Sequence, residues 1–276
     1  MPASIRACVL GYPVSRSLSP KLHGFWFKKY AIDGEYAPMA VVPERLKDAL
    51  DLLVERGYAG CNLTAPLKEQ ALSMMDSHDE SCLMSGAVNT VVIRDGKKVG
   101  YNSDGFGFLE SLRAQHPAAD LSHVVILGTG GAARGIIASL RGAGAKNFTL
   151  VNRTREKAEK IVSAFTLKNT AVADWKDRSA VLEGTTLLVN CTSLGTMDEP
   201  SLTLDLAALP KTAAVCDIVY RPLETALLAV ARKRGNPVIE GLSMLLHQGR
   251  LGFQHWSGVD PDVTPELHAI IKEFAK

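Results

Sequence analysis

The stretch VVILGTGGAARG, residues 124–135, decides how this chain folds. Residues 124–127 form an apolar run without a polar break, as expected of a strand buried on both faces of a parallel sheet. Gly128, Gly130 and Gly131 follow at once, with Thr129 and Ala132 between and behind them, and a helical pattern begins there. Glycines permit a tight turn and let backbone N–H groups approach a pyrophosphate, which the positive end of the next helix favours. The spacing departs from G-x-G-x-x-G, because Ala133 holds the third position. The competing reading is a glycine-rich strand-to-helix turn with no ligand. The strand–turn–helix context is what favours a dinucleotide.

The next apolar run, NFTLVNRTREKA (residues 147–158), discriminates between cofactors. In NAD-binding sheets a carboxylate at this strand's tip accepts hydrogen bonds from ribose hydroxyls. Here Asn152, Arg153, Thr154 and Arg155 stand instead. A guanidinium pairs with the extra phosphate of NADP, which a carboxylate would repel. The alternative is a solvated helix start with two surface arginines. Placed just after the glycine turn, the segment favours NADP over NAD.

Outward from this centre, short apolar runs alternate with amphipathic segments, which predicts mainly parallel sheets covered on both faces. IRACVLG, EYAPMAV and YAGCNLT read as strands, and SPKLHGFWFKKY and ERLKDALDLLVERG as helices. GAVNTVVIRDGKKVGYN reads as a hairpin with Asp95-Gly96 at its turn. CNLTAPLKEQ (residues 61–70) reads as a strand running into a helix with Lys68 in its first turn, where a carboxylate is preferred. Lys68 therefore either points into water or is kept for chemistry. A second unit starts near Asp104 with DGFGFLESLRAQ as a helix, and TTLLVNC and AAVCDIVY follow as further strands. Periodicity does not assign the helix in GLSMLLHQGRLGFQHW to either unit.

Composition narrows the function classes. At 276 residues the chain is long enough for two domains, and a net charge of +2 gives no case for a nucleic-acid or membrane surface. The five cysteines are scattered without a CxxC pair, and the histidines have no metal-like spacing, so no metal is expected. The thiols imply a reducing compartment. The first apolar stretch is too short for a signal peptide, so a cytoplasmic protein is expected.

Several motifs then agree. GYPVSRSLSPKLH (11–23), NLTAPLKE (62–69), GAVNT (86–90), NSDG (102–105), GTGGAARG (128–135), NRT (152–154), NCTSLG (190–195), DIVYRPLET (217–225) and GLSMLLHQ (241–248) occur in this order. With these the chain resembles the shikimate dehydrogenase family over nearly its whole length. The resemblance implies a two-domain α/β fold: a substrate-binding domain, residues 1–103 with 240–276, and a Rossmann-like NADP-binding domain, residues 104–239, with a cleft between them. It implies reversible NADPH-dependent reduction of 3-dehydroshikimate to shikimate, in aromatic amino-acid (chorismate) biosynthesis, by a monomer or homodimer. Alternatives are a quinate/shikimate dehydrogenase with relaxed substrate or cofactor choice, and a non-catalytic nucleotide-sensing relative. Arg16, Gly24 and Thr196 depart from the family's usual histidine, asparagine and methionine, which bears on substrate choice more than on reaction type.

By the same resemblance Lys68 and Asp104 are the catalytic pair. The ammonium would supply the proton, with its pKa lowered by the helix N-terminus, and the carboxylate would hold it. Ser17 and Ser19 would bind the substrate carboxylate, although Ser19-Pro20 also reads as an ordinary capped helix start. Thr64, Asn89, Tyr220 and Gln248 would be further substrate contacts. Thr192, Ile218, Gly241 and Met244 would line the nicotinamide end, and Glu80 aligns with a cofactor-linked position.

Overall fold

A computed structural model describes residues 4–275, which divide into two compact units. One unit runs through Gly107 and takes up the chain again over Leu245–Phe274; the other spans Phe108–Met244. Among the described residues no helix is long and apolar enough to cross a membrane.

The first unit opens with strand β1 (Ile5–Gly11), helix α1 (Ser19–Lys29), strand β2 (Gly34–Ala40), helix α2 (Leu46–Glu55) and strand β3 (Gly60–Leu63). Strand β4 (Ser77–His78), helix α3 (Glu80–Ser85) and the hairpin strands β5 (Thr90–Arg94) and β6 (Lys97–Tyr101) follow. Its sheet has the order β2-β1-β3-β5-β6-β4. It is mixed rather than mainly parallel: β1 pairs parallel with β2 and β3, but β5 runs antiparallel to both β3 and β6. The hairpin imposes the reversal. Asp95 (φ 51°) and Gly96 (φ 73°) both take the left-handed conformation that a two-residue turn needs to match strand twist. Cys8, Leu10, Leu46, Leu50, Leu63, Leu67 and Val91 form a core between this sheet and α2, each nearly or fully shielded from water. A buried leucine of this kind contributes about 2 kcal/mol.

The second unit begins within helix α4 (Asp104–Gln115). Strand β7 (His123–Leu127), helix α5 (Gly131–Gly142), strand β8 (Asn147–Asn152), helix α6 (Arg155–Ala164) and strand β9 (Thr170–Asp174) come next. Strands β10 (Leu187–Asn190) and β11 (Ala214–Asp217), helix α7 (Ala226–Arg234) and strand β12 (Val238–Ile239) complete its sheet, whose pairings are all parallel. The order β12-β11-β10-β7-β8-β9 is doubly wound, with the direction of winding reversing between β7 and β10. Val124 and Ile126 join one core while Val125 and Leu127 join the other, so β7 is buried on both faces, as its unbroken apolar run implied.

Helix α8 (Gly241–Ser257) starts in the second unit and passes into the first, where helix α9 (Pro265–Ala275) follows. Phe253 and Trp256 of α8 close an aromatic cluster around His23 of α1. The imidazole stacks on Tyr36 at 4.1 Å between ring centroids and meets Trp26 edge-on at 5.5 Å. It is wholly buried, neither ring nitrogen has a hydrogen-bond partner among the described residues, and burial lowers its pKa to about 3.

His23 must therefore take up a proton when the chain unfolds below its ordinary value near 6.5. A depressed folded-state pKa gives stability that is present above 6.5 and lost as pH falls towards 3. Between pH 7 and pH 5 the loss is about 2 kcal/mol. Urea unfolding of the natural chain and of His23→Phe at the two pH values should show their stability difference shifting by that amount in favour of the variant. A difference that does not move with pH would contradict a buried neutral His23.

Candidate active site

The segment after β3 turns back instead of entering an α-helix. Leu67 N donates to Thr64 O at 3.0 Å, and only a short 3-10 stretch, Gln70–Met74, precedes β4. Pro66 disfavours helical geometry at Ala65, and the few residues before β4 leave room for turns alone. The expected helix N-terminus at Lys68 is absent, and with it the dipole argument for tuning this ammonium. What fixes Lys68 is local. Val88 N donates to its carbonyl oxygen at 2.8 Å, and Leu67 beside it is fully buried.

Its side chain meets Asp104. The ammonium Nζ lies 2.9 Å from Oδ1 and 2.7 Å from Oδ2, with 14% of the lysine and 5% of the aspartate side chain exposed. Asp104 opens α4, where a carboxylate complements the helix dipole. Asn102 sets its backbone: Asn102 Oδ1 accepts from Asp104 N at 3.0 Å while Asn102 Nδ2 donates to Ala87 O.

Around the pair lies a polar network. Asn89 Oδ1 accepts from Ser103 N at 2.7 Å and from the Ser103 and Thr90 hydroxyls, and Asn89 Nδ2 donates to Ser103 Oγ. Gln248 Oε1 of α8 accepts from the same Ser103 hydroxyl at 3.3 Å. Gly107 lets that helix approach, since a Cβ there would lie 2.5 Å from Gln248 Cβ. Thr64 stands half-buried at the end of β3, close enough to Gly11 that a Cβ would come within 2.2 Å of its methyl. Ser19 is the first residue of α1 rather than its cap. Leu18 holds the cap position, and Ser17 Oγ accepts weakly from Ser19 N at 3.3 Å. Ser19 instead reaches the Tyr36 hydroxyl, which donates to Asn62 Oδ1 at 2.6 Å.

The first unit thus holds Lys68, Asp104, Ser17, Ser19, Thr64, Asn89 and Gln248, whereas Tyr220 follows β11 in the second unit. Residue-type reasoning passed over Asn62, Asn102 and Ser103. Their signal was a polar residue inside an otherwise apolar strand, and the two residues preceding Asp104 in NSDG.

In the second unit the glycine turn sits at the reversal of the sheet. Gly128 takes φ +92°, and Gly130 caps α5 with nothing within 4 Å of where a Cβ would be. The first-turn N–H groups of Gly131 and Ala132 face the same end of that helix. Thr129 Oγ1 is buried there without a hydrogen-bond partner among the described residues. An open cradle, unbonded backbone donors and an orphaned hydroxyl fit a bound pyrophosphate. At the tip of β8, Asn152 Nδ2 donates to Thr154 O at 2.8 Å. Arg155 is engaged by Glu159 at 2.8 Å and Asp174 at 3.1 Å. Arg153 is exposed and makes no ion pair or hydrogen bond among the described residues, so its guanidinium is the one left for a ligand.

Thr192 and Ile218 follow β10 and β11, and a Cβ on Gly241 would come within 2.6 Å of the Ile218 carbonyl. Met244 packs into the core of the second unit. Glu80 is exposed in the first turn of α3, in the unit that lacks the glycine turn.

Known families match segments of both units. Residues 9–91 match the family described as shikimate dehydrogenase substrate binding domain, residues 111–218 that described as shikimate / quinate 5-dehydrogenase, and residues 241–265 the shikimate 5'-dehydrogenase C-terminal domain. Shikimate dehydrogenase (NADP(+)) of Rhodospirillum rubrum is 49% identical over 96% of each chain. The chain belongs to the shikimate dehydrogenase family. The protein of the same name from Paramagnetospirillum magneticum is 47% identical over 96% of this chain and 97% of that one. A shikimate 5-dehydrogenase of Thermus thermophilus, solved in complex with NADP(H) and shikimate, superposes with a TM-score of 0.86 at 36% identity, covering 99% of this chain and 100% of that chain. Family membership accounts for the fold and for the order of the motifs. The bond lengths and burial above are this chain's own.

Burial of the pair makes its balance testable. Removing one charge leaves the other poorly solvated, which costs about 3 kcal/mol, whereas removing both leaves little to compensate. Lys68→Met should lose stability on that scale in urea unfolding at pH 7, and adding Asp104→Asn should restore at least half of the loss. Additive losses in the double variant would show that the two side chains are not coupled.

Proposed function

We propose that this family member catalyses the reversible reduction of 3-dehydroshikimate to shikimate with NADPH, and that Lys68 is its proton donor. The observation that carries the reading is the shielded Lys68–Asp104 pair, set among Asn89, Ser103 and Gln248. The first unit is the substrate-binding domain, and the second holds the dinucleotide.

Sheet topology orients the cofactor reading. In a doubly wound sheet the pyrophosphate lies at the switch point, beyond the carboxyl ends of the strands. That point is the glycine turn after β7, where Gly128, Thr129, Gly130, Gly131 and Ala132 would hold it. The tip of β8 lies to one side, where Arg153 would take the 2′-phosphate with Asn152 and Thr154. The nicotinamide half then falls on the other side, over the ends of β10 and β11, beside Thr192, Ile218 and Gly241. Met244 and Glu80 are assigned here by family resemblance alone. When bound, NADPH supplies the hydride.

The chain's own residues do the rest. Lys68 has a bifurcated contact to Asp104 and keeps N–H groups for the substrate oxygen. It gives that oxygen a proton as the alcohol forms and takes one back in the reverse direction. Asp104 keeps the ammonium aimed and has lone pairs left for a substrate hydroxyl. Ser17, Ser19 and Thr64 offer hydroxyls to the substrate, and Asn89 retains one Nδ2 hydrogen for it. Tyr220 and Gln248 complete the contacts.

A second reading, broader use of quinate, is favoured by the shikimate / quinate description that matches residues 111–218. Rates with shikimate and quinate, each with NADP and NAD, separate the two. Shikimate with NADP should be the fastest pair; fastest turnover of quinate with NAD would overturn the proposal. Lys68→Ala should lower kcat about 10²–10⁴-fold, the usual contribution of general acid–base catalysis, while shikimate still binds in titration calorimetry. Near-normal turnover would remove Lys68 from the mechanism. Arg153→Ala should raise the KM for NADP about tenfold or more and leave NAD use little changed, because only NADP carries the extra phosphate. Equal losses with both cofactors would rule out that role for Arg153.

A further inference from the structure

The mechanism above leaves one buried carboxylate unused. Asp217 ends β11, is 2% exposed, and accepts three hydrogen bonds. Its Oδ1 accepts from Asn190 Nδ2 at 3.0 Å and from Val219 N at 3.0 Å, and its Oδ2 accepts from Thr225 Oγ1 at 2.7 Å. All three partners donate. No cation pairs with it among the described residues, and burial raises its pKa to about 6 against the pull of those three bonds. At pH 8 it is therefore an ionised group held by neutral dipoles alone.

Each of those bonds leads to a loop at the carboxyl end of the sheet. Because Asn190 turns its Nδ2 to the carboxylate, its Oδ1 must face the other way. There it accepts from Thr192 N at 3.1 Å and Thr192 Oγ1 at 2.7 Å. Thr192 Oγ1 in turn accepts from Leu194 N at 3.2 Å. This fixes the Thr192 methyl towards Gly128, where a Cβ would come within 2.9 Å of it. The bond from Val219 fixes the peptide that lies against Gly241, within 2.6 Å of a Cβ there. Thr225 caps α7, accepting from Leu228 N. The carboxylate thus anchors Asn190, whose Nδ2 also donates to Leu194 O at 3.3 Å, and it holds the path of the chain after both β10 and β11. These are the strand ends on the side of the switch point away from Arg153.

We propose that Asp217 is a positioning residue for the nicotinamide half of the bound dinucleotide, acting through Asn190 on Thr192 and through Val219 on the Ile218–Gly241 contact. The proposal rests on the NADP reading above. The isosteric Asp217→Asn keeps an oxygen for Asn190 and Val219 but loses the charge and sets its NH₂ against Thr225 Oγ1, so it weakens the network without opening a cavity.

The test compares two ligands by titration at pH 8. NADPH spans both sides of the switch point, whereas adenosine 2′,5′-bisphosphate reaches only the glycine turn and Arg153. Asp217→Asn should weaken NADPH binding about tenfold or more and leave adenosine 2′,5′-bisphosphate within about threefold. Asn190→Ala, which cuts the link to Thr192 but leaves the carboxylate two donors, should show the same pattern, and it carries the test if Asp217→Asn does not fold. Equal weakening of both ligands, or no weakening of NADPH, would overturn the positioning role. Failure of the unsubstituted chain to bind either ligand would instead overturn the functional reading on which it rests.

Discussion

A lysine and an aspartate removed together from water hold each other only if their geometry is good and their other bonding capacity is met. Lys68 and Asp104 satisfy this with two contacts below 3 Å to a single ammonium. The surrounding structure reads as the means of keeping that geometry. Asn102 fixes the backbone from which Asp104 projects, Val88 pins the backbone of Lys68, and Leu67 anchors the turn beside it. Asn89 and Ser103 bond one another, which draws them away from the carboxylate and leaves one Nδ2 hydrogen of Asn89 unused. Lys68 thus stands in a turn pinned by these bonds and Asp104 at a helix start, which suits the proton delivery proposed for Lys68.

Most of the fold was legible because its elements are locally consistent. The run ending at Leu127 could only be a doubly buried strand, and Asp95-Gly96 could hardly be anything but a tight hairpin turn. What was not legible depended on partners distant in sequence. The hairpin makes the first sheet mixed, although a strand–helix alternation of the same residues would suit a parallel one. The short strand β12 is defined by its pairing with β11 and carries little pattern of its own. At the site, Lys68 and Asp104 were legible as residues but the reason for Lys68 was not. The sequence around it suggested a helix, and the chain forms turns because a proline and a short connection intervene. At the tip of β8 the NRT segment pointed to Arg153 rather than to Arg155. Asp174, brought beside Asn152 by the pairing of β9, takes Arg155 and leaves Arg153 free for a ligand.

His23 and Asp217 show two opposite ways of burying an ionisable group. His23 is surrounded by aromatic rings, gains nothing from charge and stays neutral, so acid must break the cluster before it can be protonated. Asp217 has only donors around it, and those donors favour the charged form while burial opposes it. The sign of its linkage follows. With a folded-state value near 6 against an ordinary 3.8, stability from this group is present below about pH 4 and lost as pH rises through 6. At neutral pH the ionised form is held at a cost of about 3 kcal/mol relative to an unperturbed carboxyl.

Asp104 and Asp217 are the same residue with the same low exposure, and their surroundings give them different tasks. Asp104 faces a cation with hydrogens left unbonded by it, so in the proposed mechanism its charge is passed outward to the substrate. Asp217 faces amide and hydroxyl dipoles that are themselves parts of loops, so its charge is passed inward to the backbone. A neutral side chain at either position would occupy the same volume. At the first it would leave an ammonium unaimed. At the second it would weaken the anchor of Asn190 and of the Val219 peptide, because an amide has one acceptor oxygen where the carboxylate has two. Three donors converging on one side chain favour an acceptor-only group even in a place where its charge is disfavoured.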